Sequence, residues 1–130
     1  MARNNTLTAS FTQADGDGAS GYAESMTAAF TSGDSIKLEG NISHSAEVQY
    51  VLADYGVAQA DGLYFENRDA TNFISLSVRS GAGSGNNEAS LKIAPLGCFM
   101  VRMDDTQTAI THIGIQADTA PCDFILCVSE

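Results

Sequence analysis

The chain has 130 residues, 44% of them apolar, which is enough for one domain with a sizeable core. Sixteen acidic against six basic residues leave a net charge of −10. That balance argues against direct binding to nucleic acid or to an anionic membrane surface, because both need clustered Lys and Arg. No run approaches the roughly 20 apolar residues of a membrane-spanning helix. The opening MARNNTLTASF lacks the apolar stretch of a secretory signal, so the expectation is a chain made and folded in a cytoplasm.

Near the N-terminus, Leu7, Ala9 and Phe11 alternate with Thr8 and Ser10, so Thr6–Thr12 reads as a strand or an extended arm. The segment Gln13–Gly21, QADGDGASG, reads as a flexible loop. A strand on such a tether can join its own sheet or reach a neighbouring subunit, and Leu7 and Phe11 are the candidate anchors for the second case. Asp15 and Asp17 invite a calcium reading, but the positions where an EF-hand loop needs further ligands carry Ala19 and Met26. A solvated turn is the expectation there. Tyr22–Phe30 fits helical and strand periodicity equally, and its strand-like surroundings favour a strand.

From Ser35 onward, short alternating segments follow one another. Ile36, Leu38 and Ile42 oppose Lys37, Glu39 and Asn41; Val48, Tyr50 and Leu52 then oppose Glu47 and Gln49 within a predicted strand Ala46–Asp54. The stretch Gly62–Arg79 reads as strand, turn, strand: Leu63–Phe65, then polar Asn67–Thr71, then Ile74, Leu76 and Val78 alternating with Ser75, Ser77 and Arg79. Ser80–Ser90, SGAGSGNNEAS, has little to bury and is expected to be a mobile loop. Brief strands follow at Leu91–Ala94 and Gly97–Met103, then a turn at Asp104–Gln107 and a strand over Ala109–Ala117. The last strand, Cys122–Val128, is apolar on both faces and is expected at the centre of a sheet.

Nine or ten short strands with no βαβ unit predict an all-β fold, an antiparallel β-sandwich or jelly roll over 22–130, preceded by an arm and loop over 1–21.

The sequence nominates no catalytic, cofactor or metal site. Cys98, Cys122 and Cys127 lack metal or redox spacing and are expected to be free, buried thiols. Cys122 and Cys127 would face opposite sides of one strand. GAGSG at 81–85 has no following Lys, and Asp104–Asp105 sit in a turn. His112 is expected at a surface or interface. Tyr22, Tyr55 and Tyr64 are the only candidates for a sugar-binding platform.

The run of LYFENRDATNFISLSV with its N-x-D-x-T-N turn, a Gly-rich loop, LKIAPLGCFMVRM, and the closing ITHIGIQADTAPCDFILCVSE resembles small β-rich structural proteins of tailed bacteriophages. In such proteins the strand after the loop begins near a Leu-x-Pro-Gly-Glu turn; Ala94–Pro95–Leu96–Gly97 lacks that Glu. The resemblance covers roughly the C-terminal two thirds. It implies a non-enzymatic virion component, a capsid decoration (cement) protein or a tail-associated one, whose partners are the major capsid or a tail protein and copies of itself. It carries over no catalytic residue and no cofactor. A host-glycan-binding sandwich is the alternative reading.

Overall fold

A computed structural model describes residues 3–13, 22–103 and 108–130. Ten strands are found among them: β1 (Arg3–Gln13), β2 (Tyr22–Ser32), β3 (Ser35–Ile42), β4 (Val48–Val51), β5 (Gly62–Asn67), β6 (Ile74–Arg79), β7 (Asn87–Ile93), β8 (Cys98–Arg102), β9 (His112–Ala117) and β10 (Cys122–Ser129). All pairings are antiparallel.

The topology follows from one long hairpin rolled up. β6 pairs with β7, β5 with β8, β4 with β9 and β3 with β10, each pair enclosing the one before it. Wrapping this hairpin brings β10 beside β5 and β9 beside β6. Two four-stranded sheets result, ordered β3-β10-β5-β8 and β4-β9-β6-β7, which is a jelly roll.

The core sits between the sheets and is filled by alternate residues of each strand. Leu63 and Phe65 of β5 and Phe124, Leu126 and Val128 of β10 meet Ile74, Leu76 and Val78 of β6 and Ile113 and Ile115 of β9. Phe65 and Phe124 stack with ring centroids 6.0 Å apart. As expected, β10 is a central strand; Ile125, on its outer side, is also buried.

Four sequence expectations are corrected. The stretch Gly62–Arg79 is strand, turn, strand as read, but its two strands do not pair with each other as a central hairpin would, because β5 and β6 lie in different sheets and the turn between them is a corner. Its hinge is the fully buried Asn67. The Asn67 amide nitrogen donates to the carbonyls of Asn72, Ile93 and Ala94 at 2.8, 3.1 and 3.0 Å, while its oxygen accepts from the Asp69 amide at 3.0 Å. Asp69 accepts from the Thr71 and Asn72 amides at 2.7 and 2.6 Å, so local backbone bonding shapes the corner.

The strand predicted over Ala46–Asp54 stops at Val51. A 3-10 turn (Leu52–Tyr55) follows and ends on Gly56, whose φ of 83° suits glycine alone. That turn lets Leu52 and Val57 enter the core from one end.

Ser80–Ser90 is not a structureless loop. Asn87–Ile93 is strand β7, and the rest is fastened by hydrogen bonds rather than apolar burial. Ser80 N–H donates to the Asn86 carbonyl at 3.1 Å, the Asn86 side chain to the Ala82 carbonyl at 2.6 Å, and Gly83 N–H to Gln49 Oε1 at 2.9 Å.

Cys98, expected to be buried, is exposed, because β8 is an edge strand and Cys98 falls on its outer side. Cys122 is buried and Cys127 half-buried, and all three thiols are free. Of the loop predicted over Gln13–Gly21, Gln13 ends β1 and 14–21, with Asp15 and Asp17, lie outside the described residues, as does the turn at 104–107, with Asp104 and Asp105.

Candidate interaction surface

The N-terminal arm is a ribbon, not a lone strand. β1 and β2 pair along all eleven residues, from Arg3 opposite Ser32 to Gln13 opposite Tyr22, in a two-stranded sheet of their own. Tyr22–Ser32 therefore belongs with the arm and not with the sandwich. The sequence gives both strands alternating small polar and apolar residues, which pair well but bury little.

Residues directly opposite each other share a face, and so do residues two apart. Leu7, Ala9 and Met26 (opposite Ala9) therefore lie on one face. The other face is polar, with Thr8 and Thr27 hydroxyls 3.3 Å apart.

β1 crosses the outer side of the sheet β3-β10-β5-β8 and leaves a cleft of about 620 Å³ there. Leu7 and its neighbours Thr6 and Thr8 form one wall; every strand of the sheet contributes to the other, with Lys37, Tyr64, Met100 and Cys127 prominent. Leu7 is half-buried over this cleft. Met26, on the same face, is 69% exposed, so the face runs past its cover. Phe11, the second predicted anchor, lies in β1 opposite Glu24; its side chain falls outside the described residues.

The floor of the cleft is chemically quiet. Tyr64 donates its hydroxyl to Glu66 at 2.8 Å, and that bond pushes the phenol up to about 12. The same bond, helped by Arg68, holds the Glu66 carboxyl below its ordinary range. Burial pushes the Cys127 thiol up, as it does the Cys122 thiol, so neither is poised as a thiolate nucleophile. The exposed Lys37–Glu39 pair at 3.6 Å adds little. Such a cleft offers apolar walls and a polar rim.

A second cluster sits on the outer side of the other sheet. Arg79 is only 3% exposed. It grips Glu47 with two nitrogens at 2.6 and 2.8 Å and also reaches Gln49 and Asn87 at 3.3 and 2.5 Å. Gly114 makes room for this network, because a Cβ there would lie 2.9 Å from both Arg79 Nη1 and the Glu47 carboxyl. Every arm of Arg79 is engaged with the fold itself, so the cluster ties β4, β6 and the 80–86 segment together. His112 lies on this sheet's outer side, half-buried, with its Nδ1 2.7 Å from Thr111 Oγ1.

A third feature is a turn at the opposite end of the first sheet. Leu96 has φ 57° and is 70% exposed. Its N–H donates to the Asp69 carbonyl at 3.0 Å, and Gly97 N–H to that of Ala94 at 2.9 Å.

Of the predicted glycan-platform tyrosines, Tyr55 is exposed but tilted at 47° against Tyr50, and Tyr64 is engaged with Glu66. Tyr22's side chain falls outside the described residues. Among the described residues no group of three His, Cys, Asp or Glu side chains could hold a metal ion. The sequence reading missed Asn67 and Arg79 as organising residues. Their residue types were visible, but their partners lie across strand pairings between residues distant in sequence.

No protein-family model matches the chain, and no curated protein does. Among solved structures, a chain described under Bacillus endospore appendages that form a novel family of disulfide-linked pili is similar at a TM-score of 0.47 and 14% identity. The match covers 74% of this chain and 83% of that one.

Proposed function

We propose that this protein is a structural component that works by binding other protein chains, and that its setting is a bacteriophage particle, as a capsid decoration protein. The observation that carries the reading is the ribbon: two eleven-residue strands that form no part of the sandwich sheets and present an uncovered apolar residue. A two-stranded ribbon is marginal in water by itself. A chain that extends one from a well-packed jelly roll has an element whose best use is contact with something else.

The phage setting comes from the sequence resemblance around Asn67–Asn72 and the strands after it. The acidity and the free thiols accord with a protein that must stay dispersed in a reducing cytoplasm before assembly. Tail attachment is the alternative position within the same particle.

Mass spectrometry of purified phage particles from cells carrying the gene and its neighbours tests this. The protein should be present in many copies per particle and concentrate in isolated heads. Its absence from purified particles would refute the reading, and recovery with isolated tails would move it to the tail.

A further inference from the structure

We propose that the outer edge of β1 is a site for strand addition, and that the strand added there is β1 of a second copy of this chain, antiparallel and centred on Thr8. The inference rests on the assembly reading above and names the contact that reading leaves open. β1 pairs with β2 and with no other described strand. Its other edge offers a row of backbone N–H and C=O groups, and the chemistry that satisfies such a row is another extended backbone. Along the middle of β1, Thr6, Thr8, Ala9 and Ser10 are exposed.

The edges of the sandwich are guarded against such addition, and the edge of β1 is not. β3 carries Lys37 and Glu39. β7 carries Glu88 and Lys92, and its register against β6 shifts at Val78–Arg79. β4 and β8 are short, with four and five residues. Charge, irregularity and shortness are means by which an edge strand avoids joining another chain. β1 has none of them. It is eleven residues long, pairs with β2 without a register shift, and from Asn4 to Gln13 contains no charged residue, proline or glycine.

The side-chain pattern of β1 selects a second copy as the partner. Antiparallel pairing centred on Thr8 sets Thr8 opposite Thr8, Thr6 opposite Ser10, Leu7 opposite Ala9 and Arg3 opposite Gln13. Hydroxyls meet hydroxyls, apolar meets apolar, and no like charges face each other. The polar–apolar pair in this register, Asn5 with Phe11, is uncharged. The Thr8 hydroxyl already lies 3.3 Å from that of Thr27 across the ribbon, so this pairing carries one row of hydroxyls through four strands. β2 matches itself less well, because the same end-to-end pairing sets charged Glu24 opposite Phe30. Eleven residues paired along their whole length supply about ten main-chain hydrogen bonds, the number in a typical protein interface. A two-fold axis at Thr8 closes the contact, so association through this edge stops at a pair.

The test is sedimentation of the full chain over a series of concentrations, for the wild type, Thr8→Lys, Thr8→Glu and an equimolar mixture of the two variants. The wild type should reach twice 13.6 kDa by tens of micromolar. Each variant alone sets like charges opposite each other at the axis and should need about fivefold more protein to pair. The mixture, with Lys opposite Glu, should pair as tightly as the wild type or more so. A ribbon merely unfolded by the substitutions cannot give that recovery. A wild type that stays monomeric or assembles beyond a pair overturns the inference, as does pairing untouched by either variant. Variants that stay weakened when mixed overturn the pairing about Thr8. A monomer that still accompanies phage particles would sink this inference alone; a dimer absent from particles would sink the function alone.

Discussion

Strand β10 and strand β1 differ in what holds them. β10 has a hydrogen-bonded neighbour on each edge, buries Phe124, Leu126 and Val128 on one side, and has Ile125 buried on the other. β1 is three residues longer, has a neighbour on one edge, and shows solvent-exposed Thr6, Thr8, Ala9 and Ser10 along its middle. Regular backbone pairing is complete in both. The apolar burial that stabilises a sheet is present in only one. The sandwich is thus a frame that stands by itself, and the ribbon is an element whose order depends on what it touches.

Substitutions should separate the two regions by size of effect. Asn67→Leu should be the most damaging. It leaves three carbonyls, the buried one of Ile93 among them, and the Asp69 amide without their partner inside a fully buried site, and should cost about 3 kcal/mol in denaturant unfolding. Gly114→Ala should cost about 1–3 kcal/mol, because the added methyl meets the Arg79–Glu47 pair, and neither partner can withdraw without exposing or orphaning the other. A denaturation midpoint equal to wild type in either variant would mean that the frame is not held as described.

The alkaline limb of stability should bear the mark of Tyr64. Its phenol is raised by the bond to Glu66, so the folded chain keeps that proton where the unfolded chain has lost it. The contribution is full below the ordinary phenol value near 10 and is lost as pH rises through about 12. Ultraviolet titration should show Tyr64 ionising late in the wild type, alongside a Tyr50 raised by its burial, and only Tyr64 shifted back toward 10 in Glu66→Gln.

Leu96→Gly should act in the opposite direction. The φ of 57° strains a leucine and suits a glycine, so the substitution should stabilise by about 0.5–1 kcal/mol. Smallest of all should be Leu7→Ala, within about 0.5 kcal/mol of wild type in the unfolding of the sandwich, because Leu7 contributes to the ribbon's contact and not to the core.

Much of the frame was legible in the sequence because its signal is local. Ile74, Leu76 and Val78 alternate with polar residues, and an alternating strand half-buried in a two-layer fold has no other way to sit. The unbroken apolar run Phe124–Val128 correctly marked a strand buried on both sides. What escaped depended on partners far along the chain. The corner at Asn67 looks like a hairpin until β10 and β8 flank β5 and leave β6 no edge there. Cys98 looks buried among Leu96, Phe99 and Met100 until β8 proves to be an edge strand. The segment after Arg79 looks structureless because apolar burial was the only cue sought, whereas Gln49, Asn86 and Glu88 fasten it with hydrogen bonds. Of the interaction surface, Leu7 could be nominated from alternation alone. The cleft beneath it could not, since its walls come from five different strands.

The central claim is that the jelly roll is ordered by its own core and the ribbon by association. Amide hydrogen exchange of the full chain, followed by mass spectrometry at a series of protein concentrations, tests it most directly. The account predicts that peptides from β5, β6, β9 and β10 are protected equally throughout, while those from Arg3–Gln13 and Tyr22–Ser32 exchange quickly in dilute solution and slow as the chain associates. Ribbon amides protected as strongly as those of β10 in a dilute monomer would contradict it.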